Sequence, residues 1–184
     1  IYADIDGKIF DPTNGISDLE NGIVKFIGSS DERIKEDYLR ILRYFRFFTQ
    51  YSSADYDLNT IQSIKQNING INKISNERIF NEIKKILSLT NLSVLFNNEQ
   101  LRQIILNIFP QFKYYERLKH VEKLDNNLRT KFKYQQILPL LIVDQTSSYE
   151  FFCYKYKTSN EIRNKLKNIS KSFENLKNKN FFLK

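Results

Sequence analysis

Apolar residues recur along this chain in two rhythms, and the change between them divides it. From Ile1 to Ile27 they come in short runs: Ile1–Ile5 and Lys8–Phe10 flank Asp6-Gly7, and Ile23–Ile27 ends at Gly28. Alternating runs about an Asp-Gly pair predict a β-hairpin over 1–11, and the later run predicts a third short strand. Between them, DPTNG (11–15) reads as a turn. Ser17 to Gly22 reads as one helical turn with a Ser N-cap and a Gly stop. From residue 32 onward apolar positions recur every three or four residues, the helical rhythm. Helices are predicted over 32–50, 57–68, 76–89, 98–108, 112–124, 132–143 and 159–177, with Asp57 and Ser75 as N-caps. Pro110 bounds one of these helices, and Pro139 falls inside another, where it is expected to kink or split it. The expected fold is therefore mainly α, with a small β element at the start. Short strands with open edges need a covering sheet or helix. Residues 1–28 are thus expected either to meet another piece of polypeptide or to stay poorly ordered and sticky.

Composition narrows the class. With 184 residues, 41% of them hydrophobic and 15 Phe and 11 Tyr among them, the chain has the means to build a core. A single cysteine excludes an intramolecular disulfide framework, and there is no CxxC or Cys/His cluster for zinc. No apolar run has the length of a membrane span and no secretory leader is legible, so a cytoplasmic protein is expected. The net charge of +8 is unevenly placed. Residues 1–50 hold seven Lys and Arg against nine Asp and Glu, whereas residues 151–184 hold nine against two. Lysines interleaved with aromatics, as in FFCYKYK (151–157), suit an RNA backbone and unstacked bases. Solvated helix faces would leave the same charge pattern.

The stretch richest in chemistry is DERIKEDYLRILRYFRFF, residues 31–48. If it is one helix, Asp37 and Arg40 share a face, followed by Tyr44 and Phe47, and Glu36 reaches Arg40 as an i,i+4 pair. A carboxylate beside a guanidinium is an acceptor next to a donor fork. That order matches the amino donor and ring-nitrogen acceptor of cytosine and of adenine, and opposes uracil and guanine. Arg33 and Arg43 are further candidates for nucleotide or triphosphate contact. Taken alone, EDxxR is equally a solvated ion pair of small energy.

Its neighbours give that motif a context. IYADIDGKIFDPTNG, then Asp18 and Gly22 as DxxxG, then Glu36, Asp37 and Arg40 as EDxxR, then ISNERIFNEIKKIL with Ser75 and Arg78, stand in order. Together they resemble the class II tRNA nucleotidyltransferase and bacterial poly(A) polymerase family over residues 1–88. The resemblance implies a nucleotide-selecting site at Asp37, Arg40, Glu36, Arg33 and Arg43, and a flexible element at Asp18 and Gly22. It implies addition of CCA to tRNA 3′ ends from CTP and ATP. Mg²⁺ would be held by a catalytic head missing from this chain, and no metal ligand is expected within it. It further implies a remnant of the head over 1–29, a neck over 30–110 and a body over 111–184. Poly(A) or A-only addition, and a non-enzymatic RNA-binding remnant of a split gene, are the alternative readings.

Other candidates read as structural. Asp4 and Asp6 form a DxD of the kind a two-metal site uses, but their place beside Gly7 makes them turn residues. His120 stands without a second ligand and reads as solvent-facing, Cys153 as buried and inert, and Tyr114-Tyr115 as core.

Overall fold

A computed structural model describes residues 1–144 and 146–178, and the chain gathers into two compact units, Ile1–Ile74 and Ser75–Lys184. In the first unit the hairpin forms: β1 (Tyr2–Ala3) pairs antiparallel with β2 (Ile9–Phe10), Tyr2 opposite Phe10 and Ala3 opposite Ile9. The connection is wider than the Asp-Gly pair alone. The Asp4 carboxylate accepts from the amides of Asp6 (3.1 Å) and Lys8 (2.8 Å), and Gly7 takes the left-handed φ of 81°. The DxD is turn chemistry, as its sequence context indicated.

α1 (Gly15–Glu20) follows, but Ser17 lies inside it rather than capping it. Asp11 serves its first turn instead, accepting from the amides of Gly15 and Ile16 at 2.8 Å each. The expected third strand is absent among the described residues. The Ile23 amide donates to the Asp18 carbonyl (2.8 Å), Lys25 pairs with the Asp18 carboxylate (2.7 Å), and Phe26 stacks on Tyr44 at 5.7 Å. Local bonds to α1 thus replace a ladder for which Ile23–Ile27 has no partner strand.

The predicted helix over 32–50 is in fact two, α2 (Ser30–Glu36) and α3 (Leu39–Tyr51). Asp37 between them is extended, at φ −153° and ψ 104°. Aspartate competes for backbone donors better as a cap than in a helix interior. Here its Oδ1 accepts from the Leu39 amide at 3.2 Å and starts α3. The apolar rhythm did not reveal the break because Ile34, Ile41, Leu42 and Phe45, all fully buried, keep helical spacing across it.

α4 (Leu58–Asn67) starts at Asp57, whose carboxylate accepts from the Thr60 amide (2.7 Å), and continues into a 3₁₀ turn over Ile68–Lys73. It is bonded to α2 at two places: the Ser30 and Ser63 hydroxyls share a hydrogen bond of 2.7 Å, and the Asn67 amide donates to Asp31 at 2.7 Å. A third tie is steric. A Cβ on buried Gly70 would fall 2.0 Å from the Tyr38 ring, so residue 70 gives up its side chain to that ring.

The second unit is helical throughout its described part. Its elements are α5 (Asn76–Ile86), α6 (Ser93–Asn97), α7 (Glu99–Ile108), α8 (Leu118–Glu122), α9 (Asn126–Arg129), α10 (Tyr134–Ile142), α11 (Ser148–Lys155) and α12 (Asn160–Asn178). Ser75 and Asn98 cap α5 and α7 through the amides of Arg78 and Leu101. The expected helix over 112–124 shortens to a 3₁₀ turn at Tyr115–Arg117 and α8. Pro139 does not split α10, which runs through it with the ring buried. α6, α9 and α11 were not anticipated. The centre is aromatic: Phe152 lies 4.6 Å from Tyr156 and 6.1 Å from Phe80, and Phe109 lies 5.1 Å from Phe112. Such pairs add about 0.5–1.5 kcal/mol each beyond area burial. Cys153 is buried in this layer, His120 is exposed on α8, and Tyr114 and Tyr115 are half-buried.

Gly70→Ala is expected to destabilise the first unit by about 1–3 kcal/mol, the usual range for overpacking a filled site. Chemical denaturation would read the loss, and an unshifted midpoint would show that the Tyr38 ring moves aside at no cost.

Candidate functional site

The charged residues singled out in the sequence meet at the junction of α2 and α3. Arg33 and Glu36 occupy the last turn of α2, Asp37 is the break, and Arg40 and Arg43 occupy the first turns of α3. Glu36 sits between two guanidinium groups, accepting from Arg33 Nη1 at 2.7 and 2.9 Å and from Arg40 Nη1 at 2.5 Å. Arg40 Nη1 also donates to the Arg33 carbonyl at 2.7 Å, which stitches α3 back to α2 across the break. The Glu36–Arg40 pair is therefore present, although the two residues stand on different helices. The Arg40 hydrogen bond is the largest influence on the Glu36 carboxyl and, with the help of Arg33, holds it below its ordinary range against the opposing effect of burial.

Asp37 and Arg40 do not share a continuous helix face, so the i,i+3 derivation does not describe them. The break places the Asp37 carboxylate by a different means. Oδ1 is held by the Leu39 amide, and Oδ2 lies 4.0 Å from Arg43 Nη1. The side chains of Asp37 and Arg40 are each one quarter exposed, and that of Arg43 44%. The result is a carboxylate acceptor and guanidinium donors on one accessible junction. Tyr44 and Phe47, expected to extend this face, part company: Tyr44 is buried on Phe26, whereas Phe47 is exposed and stacks on Tyr51.

Asp18 and Gly22 lie away from that charged cluster, at the two ends of a local clasp. Gly22 has φ 62°, a Cβ there would fall 2.0 Å from Ser53 Oγ, and its carbonyl accepts from the Ser53 amide at 3.2 Å. The Asp18–Gly22 element thus rides on the C-terminal end of α3. Around it lies an open apolar groove of about 400 Å³, whose lining includes Ile1, Leu19, Ile23, Ile27, Phe47 and Tyr51. Tyr2, Ile5 and Ile9 are exposed as well, each by more than half.

Sequence reasoning missed Tyr38, Gly70 and the Asp31–Asn67 bond, which together hold the junction. A glycine between Asn69 and Ile71, in a stretch of alternating Asn and Ile, was the available signal, but its partner is 32 positions away. Among the described residues no group of three or more His, Cys, Asp or Glu is placed to hold a metal ion, and no helix is long and apolar enough to cross a membrane.

Residues 57–115 match the domain family described as "Probable RNA and SrmB- binding site of polymerase A". The chain is 47% identical over 90 residues to the mouse (Mus musculus) mitochondrial CCA tRNA nucleotidyltransferase 1, covering 48% of this chain and 21% of that protein. It is 31% identical over 176 residues to the CCA-adding enzyme of Streptococcus sanguinis, covering 92% of this chain and 42% of that enzyme. Against the CCA-adding enzyme of Staphylococcus saprophyticus it is 32% identical over 145 residues, covering 79% and 34%. The chain thus spans well under half the length of each of these relatives.

The hydrogen bond from Lys35, and next that from Asn67, holds Asp31 below its ordinary range, as Arg40 does for Glu36. For a depressed carboxyl the added stability is full above the unfolded value and is lost as pH falls through the folded one. The urea midpoint is therefore expected to fall between about pH 5 and pH 3, and Asp31→Asn to flatten that fall. A slope unchanged by Asp31→Asn would remove this bond from the account.

Proposed function

We propose, from the premise that this chain belongs to the CCA-adding enzyme family, that it is the neck and body of a tRNA nucleotidyltransferase that builds CCA ends from CTP and ATP. The observation that carries the reading is the α2–α3 junction. Its acceptor and its donors are held by α4 and Gly70, within the residues that match an RNA-binding family. Asp37 would accept the exocyclic amine of cytosine or adenine, and Arg40 would donate to the neighbouring ring acceptor. The bonds of Arg40 to Glu36 and to the Arg33 carbonyl use Nη1, and the rest of its donor fork would serve the base. Glu36 and Arg33 keep that guanidinium in place, and Arg43, only loosely associated with Asp37, is the candidate for triphosphate contact.

The exposed apolar groove over residues 1–27 supports a further part of the proposal. A catalytic head from outside this chain would extend the hairpin and cover Ile1, Leu19, Ile23 and Ile27, leaving Asp18 and Gly22 as the flexible connection. In this division, residues 1–29 belong with the head, 30–110 form the neck and 111–184 the body. Among the described residues no group of three or more His, Cys, Asp or Glu is placed to hold a metal ion, and the Asp4 carboxylate is committed to backbone amides. Mg²⁺ would be held by the head. The cytoplasmic setting expected from the sequence goes with this proposal. A poly(A) or A-adding enzyme is the second reading, favoured by the wording of the matched RNA-binding family.

The decisive experiment is nucleotide incorporation into a tRNA lacking its CCA end, by this chain alone and by this chain joined to a catalytic head. CCA addition by the joined form only is the expected result. A-only extension would move the assignment to the second reading, and a folded protein inactive in both forms would reduce it to RNA binding. In the active form Asp37→Ala is expected to cost about 1–3 kcal/mol of discrimination against UTP and GTP, with little loss of stability. Unaltered selection would sink the role given to Asp37.

For the hairpin, amide hydrogen exchange at residues 2–10 is expected to be fast in this chain and slowed when the head is present. Strong protection in this chain alone would mean that the strands need no cover.

A further inference from the structure

α11 is aromatic on both faces. Tyr149, Phe152 and Cys153 are buried, whereas Phe151 and Tyr154 on the outer side are 60% and 80% exposed. The outer face of a surface helix is ordinarily polar, so two rings at i and i+3 there call for a partner. They line an open groove of about 510 Å³ together with Lys155, Lys157 and Arg163, and no carboxylate is among its lining residues. The Lys157 ammonium is 2.9 Å from Glu77 just beyond the groove, with both side chains more than half exposed. An exposed pair of that kind is readily exchanged for another anion.

The backbone of Lys157 adds an independent observation. Its φ is 47°, in the left-handed region, directly after Tyr156, the last-turn cap of α11. The Thr158 amide closes the helix end by donating to the Cys153 carbonyl at 3.1 Å. Glycine fills this position without strain, yet the chain places there a lysine that lines the groove. A side chain kept where it is conformationally costly points to use.

We infer that this groove, built mainly by residues 151–163 with Asn76 at its edge, is an RNA-binding surface in which an unstacked base lies on Phe151 and Tyr154 while adjacent phosphates meet Lys155, Lys157 and Arg163. Aromatic faces stack any base, and cations at a groove track the phosphate backbone. The inference rests on the RNA-binding reading above and adds the surface that carries it.

The test is fluorescence anisotropy of the whole chain with a fluorescein-labelled single-stranded RNA oligonucleotide, across a salt series. Tyr154→Ala is expected to weaken binding about ten-fold or more. Lys157→Gly is expected to weaken it several-fold and to lower the salt slope by about one phosphate contact, while its thermal midpoint stays level or rises. That opposition of effects separates an RNA contact from a structural residue. Wild-type affinity in both variants would overturn this inference and leave the RNA-binding reading of the family match intact. If the unmodified chain bound no RNA, both would fall. Loss of self-association in Tyr154→Ala, with RNA affinity untouched, would make the groove a protein contact and overturn the inference as well.

Discussion

The Tyr38 ring lies where a Cβ on residue 70 would have to be, and that exclusion fixes the course of the chain between α2 and α3. Asp37 precedes Tyr38, so its backbone adjoins a residue whose ring is seated on Gly70. The Ser30–Ser63 and Asp31–Asn67 bonds hold the other end of α2 against α4. Arg40, bonded back to Glu36 and to the Arg33 carbonyl, then couples the start of α3 to the end of α2. Each of these contacts is modest in energy. Together they hold the charged junction between two helices, as the recognition site proposed for it would require of its supporting residues.

The same unit is built unevenly. Ile34, Ile41, Leu42, Phe45 and Ile64 are fully buried on one side, while the hairpin and α1 contribute no buried residue. Burial on that first side is what holds the helices, at about 25 cal/mol per Å² of apolar surface. The hairpin side has the same type of residue facing water. Its local bonds (Asp4 in the turn, Asp11 at α1, Asp18 to Lys25) shape the segment without burying it. A segment shaped by polar bonds but left apolar outside is suited to be covered, and this is the physical content of the head proposed for it.

How much could be read from the sequence depended on which force was at work. Burial writes a periodic signal, so the helices capped by Asp57 and Ser75 were legible at both rhythm and cap, and the helix that Asn98 caps was legible at rhythm alone. The hairpin was legible because Asp-Gly turns are local. The Asp37 break was not, since one extended residue between Ile34 and Ile41 leaves the apolar spacing nearly helical. Ile23–Ile27 looked like a strand because its composition is strand-like, but a strand exists only through a partner, which composition cannot show. At the site, the residue types of the EDxxR motif were legible, and so was the Glu36–Arg40 pair. Their support was not, because Gly70 and Asn67 act through space on Tyr38 and Asp31 from more than thirty positions away.

The break also alters the chemistry that the motif can perform. Within a continuous helix Asp37 would present its carboxylate from a free rotor on the surface, and an ion pair with Arg40 would be its simplest resting state. As an extended residue at the start of α3, it has one oxygen fixed by the Leu39 amide and the other 4.0 Å from the Arg43 guanidinium, which orients the carboxylate. Glu36 meanwhile takes the role of ion-pair partner to Arg40, at 2.5 Å. In the proposed site the acid pair would divide its labour: Glu36 answers the charge of the Arg40 guanidinium, and Asp37 would accept from the base. Discrimination between an amino group and a carbonyl oxygen depends on an acceptor whose direction is set before the base arrives. A one-residue interruption of a helix supplies that direction from the backbone itself.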